Sequence, residues 1–558
     1  MPLIKHLIVV VALAALTLTA SAREGFGISS WCGWRPGQIS RADCPELRSV
    51  PLVLKWSRLE PESGTYEFDQ FVGNPLRAAV KDDLFVTLMV WVRPHTPKWL
   101  FEEKGVPRVY TDRAANPLGQ KMSGEDNLHP YYFHPDYKKH FFKLIDAFGD
   151  YVSGLPEELR ERVVFVQSAE GSTGDGQPYK GKPLESKFQI SKSDWNSFRR
   201  ETWIQYRNAF RGIPILVNSD ANSGEEHEWM FNNLDVIALK YGMFSHGYHV
   251  SDNVERLSAL GDLTARARKQ GLSVLTRGEM DGEMYVYGWS TQNIPQAQYW
   301  SGLVATHCRL DIWNIPHKAL KEEANWPAYT FFNRYAGLHD SAASPRAFCA
   351  LRDGLDASDF ERFPAAEFGG REGRRKDLDR YLKIAEAFEP YGARLDDPEK
   401  ALGMGMMNRK RMGYNDVGWR ILPGNYSRFL TQLEPGSGDI GLWHVDDSIY
   451  GRFARSFDHN NGKTQMRFRL DEDFAADPIE IRITYLDRGR GAWSVGTSVS
   501  KGKRIVSKTN SGEWMTETIA APLSSLKKAN LVLEYESGDD TVFHMIEIDK
   551  AAKLKAQR

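Results

Sequence analysis

The chain has 558 residues, with 72 Lys and Arg against 73 Asp and Glu and a formal net charge of −1. The length excludes a single small module, since domains run at roughly 150 residues each, and the balanced charge excludes a chain-wide field for holding nucleic acid or an anionic membrane. With 41% hydrophobic and 26% charged residues the composition is that of a folded soluble protein; its excess is aromatic, 16 Trp, 22 Tyr and 28 Phe, which suits a core and equally a sugar-binding surface.

Residues 1–22 read as a secretory signal: Lys5 and His6 make a polar start, Leu7 to Ala20 an apolar stretch too short to span a bilayer comfortably, and Ala20-Ser21-Ala22 a small-residue cleavage site. The mature chain is expected to begin near Arg23, secreted or periplasmic, with no membrane span. All four Cys follow the signal, and in an oxidising compartment an even number favours disulfides, Cys32 with Cys44 and Cys308 with Cys349, against buried thiols as the alternative.

Eight short apolar runs then alternate with amphipathic stretches. The expected strands are Phe26 to Ser30, Pro51 to Ser57, Leu84 to Val92, Val163 to Ala169, Ile213 to Ser219, Val236 to Tyr241, Ser273 to Gly278 and Leu310 to Ile315. Helical stretches include Tyr137 to Tyr151, Ser193 to Phe210, Asn253 to Gln270 and Gln296 to Ala305. This pattern predicts an α/β fold, a (β/α)8 TIM barrel over residues 23–343, in preference to an open doubly wound sheet. No glycine-rich phosphate-binding turn follows any strand, so no nucleotide cofactor is expected. His246-x-x-His249 lacks the spacing of a zinc site, so no metal is expected either. A partly helical connector is expected over 344–433. A β-sandwich over 434–558 follows from the alternating runs Met466 to Leu470, Ile479 to Leu486, Trp493 to Ser498, Leu531 to Tyr535 and Val542 to Ile548.

Chemistry in a barrel of this kind sits at the C-terminal ends of its strands. The fourth strand runs out as Gln167-Ser168-Ala169-Glu170-Gly171 and the seventh as Thr276-Arg277-Gly278-Glu279-Met280. A single Glu at a strand end is usually only solvated. Two at matching ends make the pair of carboxylates that glycosidic cleavage uses, one protonating the leaving oxygen while the other attacks the anomeric carbon.

Around these carboxylates the sequence resembles a known superfamily. The segment from Trp56-Ser57-Arg58-Leu59-Glu60-Pro61-Glu62 to Asp69 is similar to the second-strand signature of clan A glycoside hydrolases, in particular the β-galactosidases of family 42, and Thr96-Pro97-Lys98-Trp99-Leu100 resembles the same group. The resemblance covers roughly Gly25 to Asn325. It implies a retaining, double-displacement mechanism with Glu170 as acid/base and Glu279 as nucleophile. One position departs: where clan A enzymes carry Asn before the acid/base, to hold the sugar 2-hydroxyl, this chain has Ala169.

Candidate substrate contacts are Trp56, Arg58, Trp91, Arg93, Tyr241, His246 and Trp313, with His95 and His249 beside them. Arg58 is expected either to hold the nucleophile ionised or to pair at the surface with Glu60 or Glu62. Tyr241 and Trp313 serve the subsite or the core. The long segments Arg93 to Pro135 and Gly171 to Ser193 lie on the expected active face, and the second carries Lys180, Lys182, Lys187 and Lys192, suited to an acidic glycan or simply solvated. Asp487-Arg488-Gly489-Arg490-Gly491-Ala492-Trp493 in the sandwich offers groups for a sugar, or a solvated turn. Three functions follow: a secreted glycoside hydrolase acting on a β-linked polysaccharide or oligosaccharide, with galactose-containing chains in view; a non-catalytic carbohydrate-binding protein on a degenerate barrel; and a metal-dependent hydrolase or lyase, for which ligand spacing is lacking.

Overall fold

The computed structural model describes residues 24–31, 33–112, 128–171, 176–218, 224–234, 236–241, 262–267, 269–280, 293–371, 378–395, 416–418, 424–433, 446–451, 454–499 and 502–551. It divides into two compact units, the first of residues 1–245, 255–281 and 310–329, the second of 246–254, 282–309 and 330–558. The signal segment, Cys32, His246, His249 and the side chain of Tyr241 lie outside the described residues.

In the first unit eight strands form a closed barrel: β1 (Gly27–Trp31), β2 (Leu47–Lys55), β3 (Phe85–Trp91), β4 (Val163–Gln167), β5 (Ile215–Val217), β6 (Val236–Tyr241), β7 (Ser273–Glu279) and β8 (Ile312–Pro316). Each pairs in parallel with the next, and β8 returns to β1. All eight expected runs are present, with β4 ending two residues early so that Glu170 stands beyond the last paired residue. Strands buried on both faces read as continuous apolar runs, as in Phe85–Trp91 and Val163–Gln167. Their inward side chains, among them Phe85, Val164, Leu216, Ala238, Leu275 and Ile312, fill the barrel. Outside lie α1 (Asn74–Lys81), α2 (Pro135–Ser153), α3 (Lys192–Ala209) and α4 (Gly224–Asn233). Helix α3 begins where Ser191 Oγ accepts the amide of Asp194, satisfying an otherwise orphaned donor.

The second unit is a β-sandwich. One sheet contains β9 (Arg346–Ala350), β10 (Tyr426–Arg428), β12 (Arg455–Ser456), β14 (Ile479–Leu486), β17 (Trp514–Ala521) and β19 (Val542–Lys550), in the order β10-β9-β19-β14-β17 with β12 added on β19. The other runs β11 (Leu430–Gln432), β13 (Gln465–Leu470), β18 (Leu531–Gly538), β15 (Gly491–Thr497), β16 (Arg504–Lys508). Alternate residues of both, including Met466, Phe468, Ile481, Ile483, Trp493, Leu533, Phe543 and Ile546, make one core. The segment expected to be a connector thus supplies β9, β10 and β11. Helix α5 (Ile294–His307), which follows β7 in the chain, belongs to this unit too: Tyr299 Oη lies 2.9 Å from His544 Nε2 and Trp300 donates to the Gly451 carbonyl.

The expected disulfides are not formed. Cys44, Cys308 and Cys349 all remain thiols. Cys349 points into the sandwich core, where burial pushes its thiol up to about 12, while Cys308 caps α5. Burial likewise raises Cys44 to about 11. Both therefore act as small buried hydrophobes.

Candidate active site

Along a strand, residues two apart share a face. Arg277 and Glu279 of β7 do so, and the register sets Lys240 of β6 beside Arg277 and Asn314 of β8 beside Glu279. Glu279 has a cation on either side: Oε1 lies 3.1 Å from Lys240 Nζ, and Oε2 accepts from Arg277 Nη2 at 2.7 Å. Arg277 is itself spread over neighbours, donating through Nη1 to Gln167 Oε1 at 2.9 Å and through Nε to Asn314 Oδ1, with its guanidinium 4.4 Å from the Trp31 ring centroid. Asn314 in turn donates to the Ser30 carbonyl at 2.9 Å. Lys240 of β6 and Arg277 of β7 thereby meet one carboxylate, side chains of β1, β4 and β8 hold Arg277, and the buried charges are paired, as burial requires.

Glu170 sits differently. It is fully buried, and helix α3 supplies its surroundings because Arg199, Trp203 and Tyr206 fall on one face at spacings of four and three. Its Oε1 accepts from Ser168 Oγ and Trp203 Nε1, both at 2.5 Å. Its Oε2 lies 3.8 Å from Arg199 Nε and accepts no hydrogen bond among the described residues. Arg199 spends its other donors on Glu226 Oε1 at 2.8 Å and on the Asn218 carbonyl, and it rests on the Trp203 ring. Burial is the leading influence on Glu170 and pushes its carboxyl above the usual range, against the opposing pull of Arg199, Ser168 and Trp203. Gly171 fixes the backbone here: a Cβ at that position would collide with the Gln177 carbonyl and crowd the Trp195 ring.

The two carboxylates thus have separate sets of partners. The expectation that Arg58 steadies Glu279 gives way to Lys240 and Arg277, for Arg58 is exposed. Trp56 is fully buried against Trp99, Tyr137 and Phe141 and donates to Glu60 Oε2 at 2.8 Å, while Trp99 donates to the Glu60 carbonyl at 3.1 Å. The two segments that resemble clan A are therefore knitted together through Glu60, an architectural use of both. Trp91 at the end of β3 is half-buried, its ring parallel to His95 at 6.3 Å. Arg93 is buried; its charge and that of Lys180 add to burial in pushing His129 down to about 3, which keeps that ring neutral. Trp313 is core, edge-on to Tyr329. Of the loop lysines, Lys182, Lys187 and Lys192 are exposed, and Lys187 pairs with Glu185 at 2.7 Å.

Lys240, Arg277, Arg199 and Trp203 were not singled out in the sequence. A signal was there: Lys240 and Arg277 interrupt otherwise apolar barrel strands, and Arg199 lies on the aromatic face of its helix, so each is a charge that burial obliges to find a partner.

Among the described residues no group of three or more His, Cys, Asp or Glu is placed to hold a metal ion, and no helix is long and apolar enough to cross a membrane. No protein-family model and no curated protein matches the chain. Solved structures similar to it include the catalytic domain of β-amylase from Paenibacillus polymyxa (9% identity, 55% of this chain and 96% of that one, TM-score 0.37). A β-galactosidase from the psychrophilic Marinomonas ef1 is also similar (11% identity, 55% and 59%, TM-score 0.35). So is a glycoside hydrolase family 5 enzyme from Prevotella bryantii (11% identity, 57% and 98%, TM-score 0.34). Likeness at this level adds nothing to the barrel read from its own strand order.

Proposed function

We propose that the barrel is a retaining glycoside hydrolase in which Glu279 is the nucleophile and Glu170 the acid/base. The observation that carries this reading is the opposite environment of two carboxyls at the ends of β4 and β7. Burial favours the protonated form of Glu170, as a general acid needs, while two cations attend Glu279, as suits an attacking carboxylate. In the first displacement a Glu279 oxygen bonds to the anomeric carbon as the glycosidic bond breaks, and Glu170 passes its proton to the leaving oxygen. In the second, Glu170 takes a proton from water, whose oxygen displaces Glu279 and restores the original configuration. The clan A resemblance extends the proposal to β-linked, galactose-containing glycans, and residues 1–22 to export. The purified protein, offered aryl β-galactosides and a panel of β-linked oligosaccharides, is expected to release sugar that keeps its anomeric configuration by NMR; an inverted product removes Glu279 from the nucleophile role.

One observation favours a second reading. Glu170 is wholly buried, with one oxygen already taken by Ser168 and Trp203, which equally suits a structural carboxyl in a barrel that binds glycan without cleaving it. Binding across the panel with no turnover selects this alternative.

A further inference from the structure

The sandwich carries a cavity of about 430 Å³ remote in sequence from both barrel carboxylates. Its apolar lining comes from Phe457, Leu486 and Val542, and Tyr391 adds an aromatic ring to it. Its polar lining comes from three loops: Asp458 and Asn460, Arg488, and Asp539 with Asp540. The loops are braced to one another. Lys508 Nζ donates to the carbonyls of Arg488, Asp539 and Asp540 at 2.9, 2.8 and 3.0 Å. Asp539 Oδ2 accepts the Arg490 amide at 2.7 Å, and the Asp539 amide returns to the Arg490 carbonyl at 2.6 Å. The backbones approach so closely that a Cβ at Gly489 would meet the Asp539 side chain and one at Gly538 the Arg490 carbonyl. Asp540 holds His459, whose ring lies flat on Tyr535 at 4.6 Å. Against this fixed frame, the exposed Arg488 guanidinium and Asn460 amide have no hydrogen-bond partner among the described residues.

We infer that this cavity is a second glycan site, binding a neutral sugar at the end or along the side of a chain. Rigid carboxylates accept from sugar hydroxyls, Arg488 and Asn460 donate to them, and the apolar lining with Tyr391 takes a C–H face. Three Asp around one Arg disfavour an anionic sugar by like-charge repulsion. A bare cation is disfavoured because Asp458 and Asp540 already accept from Asn461 and His459. Since no hydrolysis is invoked, the inference stands whether or not the barrel is a glycosidase.

The test uses the full chain carrying Glu279→Ala, so that probes survive, with galactobiose, cellobiose, xylobiose and mannobiose at millimolar concentration. Calorimetry is expected to detect at least one, and hydrogen exchange to show protection over residues 456–460, 487–491 and 539–542. Arg488→Ala and Asn460→Ala, both exposed positions whose loss leaves the thermal midpoint in place, should each weaken binding about tenfold, the loss of one hydrogen bond to a charged or polar partner. The inference is overturned by no binding of any disaccharide, by binding indifferent to both substitutions, or by calcium protecting those segments where the sugars do not.

Discussion

Glu170 in the barrel and Asp487 in the sandwich are both buried carboxyls, yet they are driven in opposite directions. Asp487 receives the amides of Thr509, Asn510 and Ser511 and the hydroxyls of Thr509 and Ser511. Burial alone would raise its pKa, but those donors overcome it and hold the group well below the usual carboxylate range. Glu170 has, among the described residues, two donors on one oxygen and none on the other, and burial prevails. The number of donors, more than depth, decides whether a buried carboxyl is an anchor or is left able to exchange a proton.

Substitution breaks the comparison most sharply at the carboxylate with two cations. Glu279→Ala is expected to lower kcat about 10³-fold or more on every substrate while leaving binding in place. Retained turnover would reassign the nucleophile. Glu170→Ala should cost roughly 10² to 10⁴-fold on substrates with poor leaving groups and much less on activated aryl glycosides, where azide restores part of the rate. A uniform loss across leaving groups would point to a structural carboxyl instead.

On the sandwich side, Asp487→Ala strands five donors and should lower stability by about 2 to 4 kcal/mol in denaturant unfolding, with no change in barrel turnover at low temperature. The histidines extend the contrast to pH. His129 in the barrel and His544 in the sandwich are both pushed down to about 3 by burial. A base depressed in the folded state contributes stability that is present above pH about 6.5 and lost as pH falls toward 3, at most about 1.4 kcal/mol per pH unit for each ring. His544→Gln should flatten that acid-side slope in thermal melts. Glu170→Gln works with the opposite sign: a carboxyl raised by burial contributes stability below its ordinary range and loses it as pH rises, so the variant should gain on the native protein as pH rises above 4.5. A pH-independent difference would mean that Glu170 titrates alike in the folded and unfolded protein.

The barrel was legible because each of its strands is buried on both faces, so that apolar runs mark strand after strand without needing a partner in view. The strands β9, β16 and β17 were missed for the converse reason. Arg504–Lys508 and Trp514–Ala521 carry polar residues at exposed positions, and Arg346–Ala350 is too short to show a period. At the candidate site the strand-end positions of Glu170 and Glu279 could be read, but not their partners. Lys240 and Arg199 reach the two carboxylates through barrel register and helix phase, which appear only once the chain is closed. The pairing of Cys308 with Cys349 failed because parity says nothing about direction, and one of the two thiols faces a core.

Helix α5 has a consequence for how the protein is made. Gln296, Tyr299 and Trp300 find their partners in Asp446, His544 and Gly451, so a ribosome finishes β8 long before the surface that covers α5 exists. The nascent barrel must wait with an apolar helix, buried from Gln296 to Thr306 in the finished fold, still uncovered between its seventh and eighth strands. A chain stopped at Ser344 is then expected to leave α5 without the partners it has in the full chain, a state open to aggregation and proteolysis.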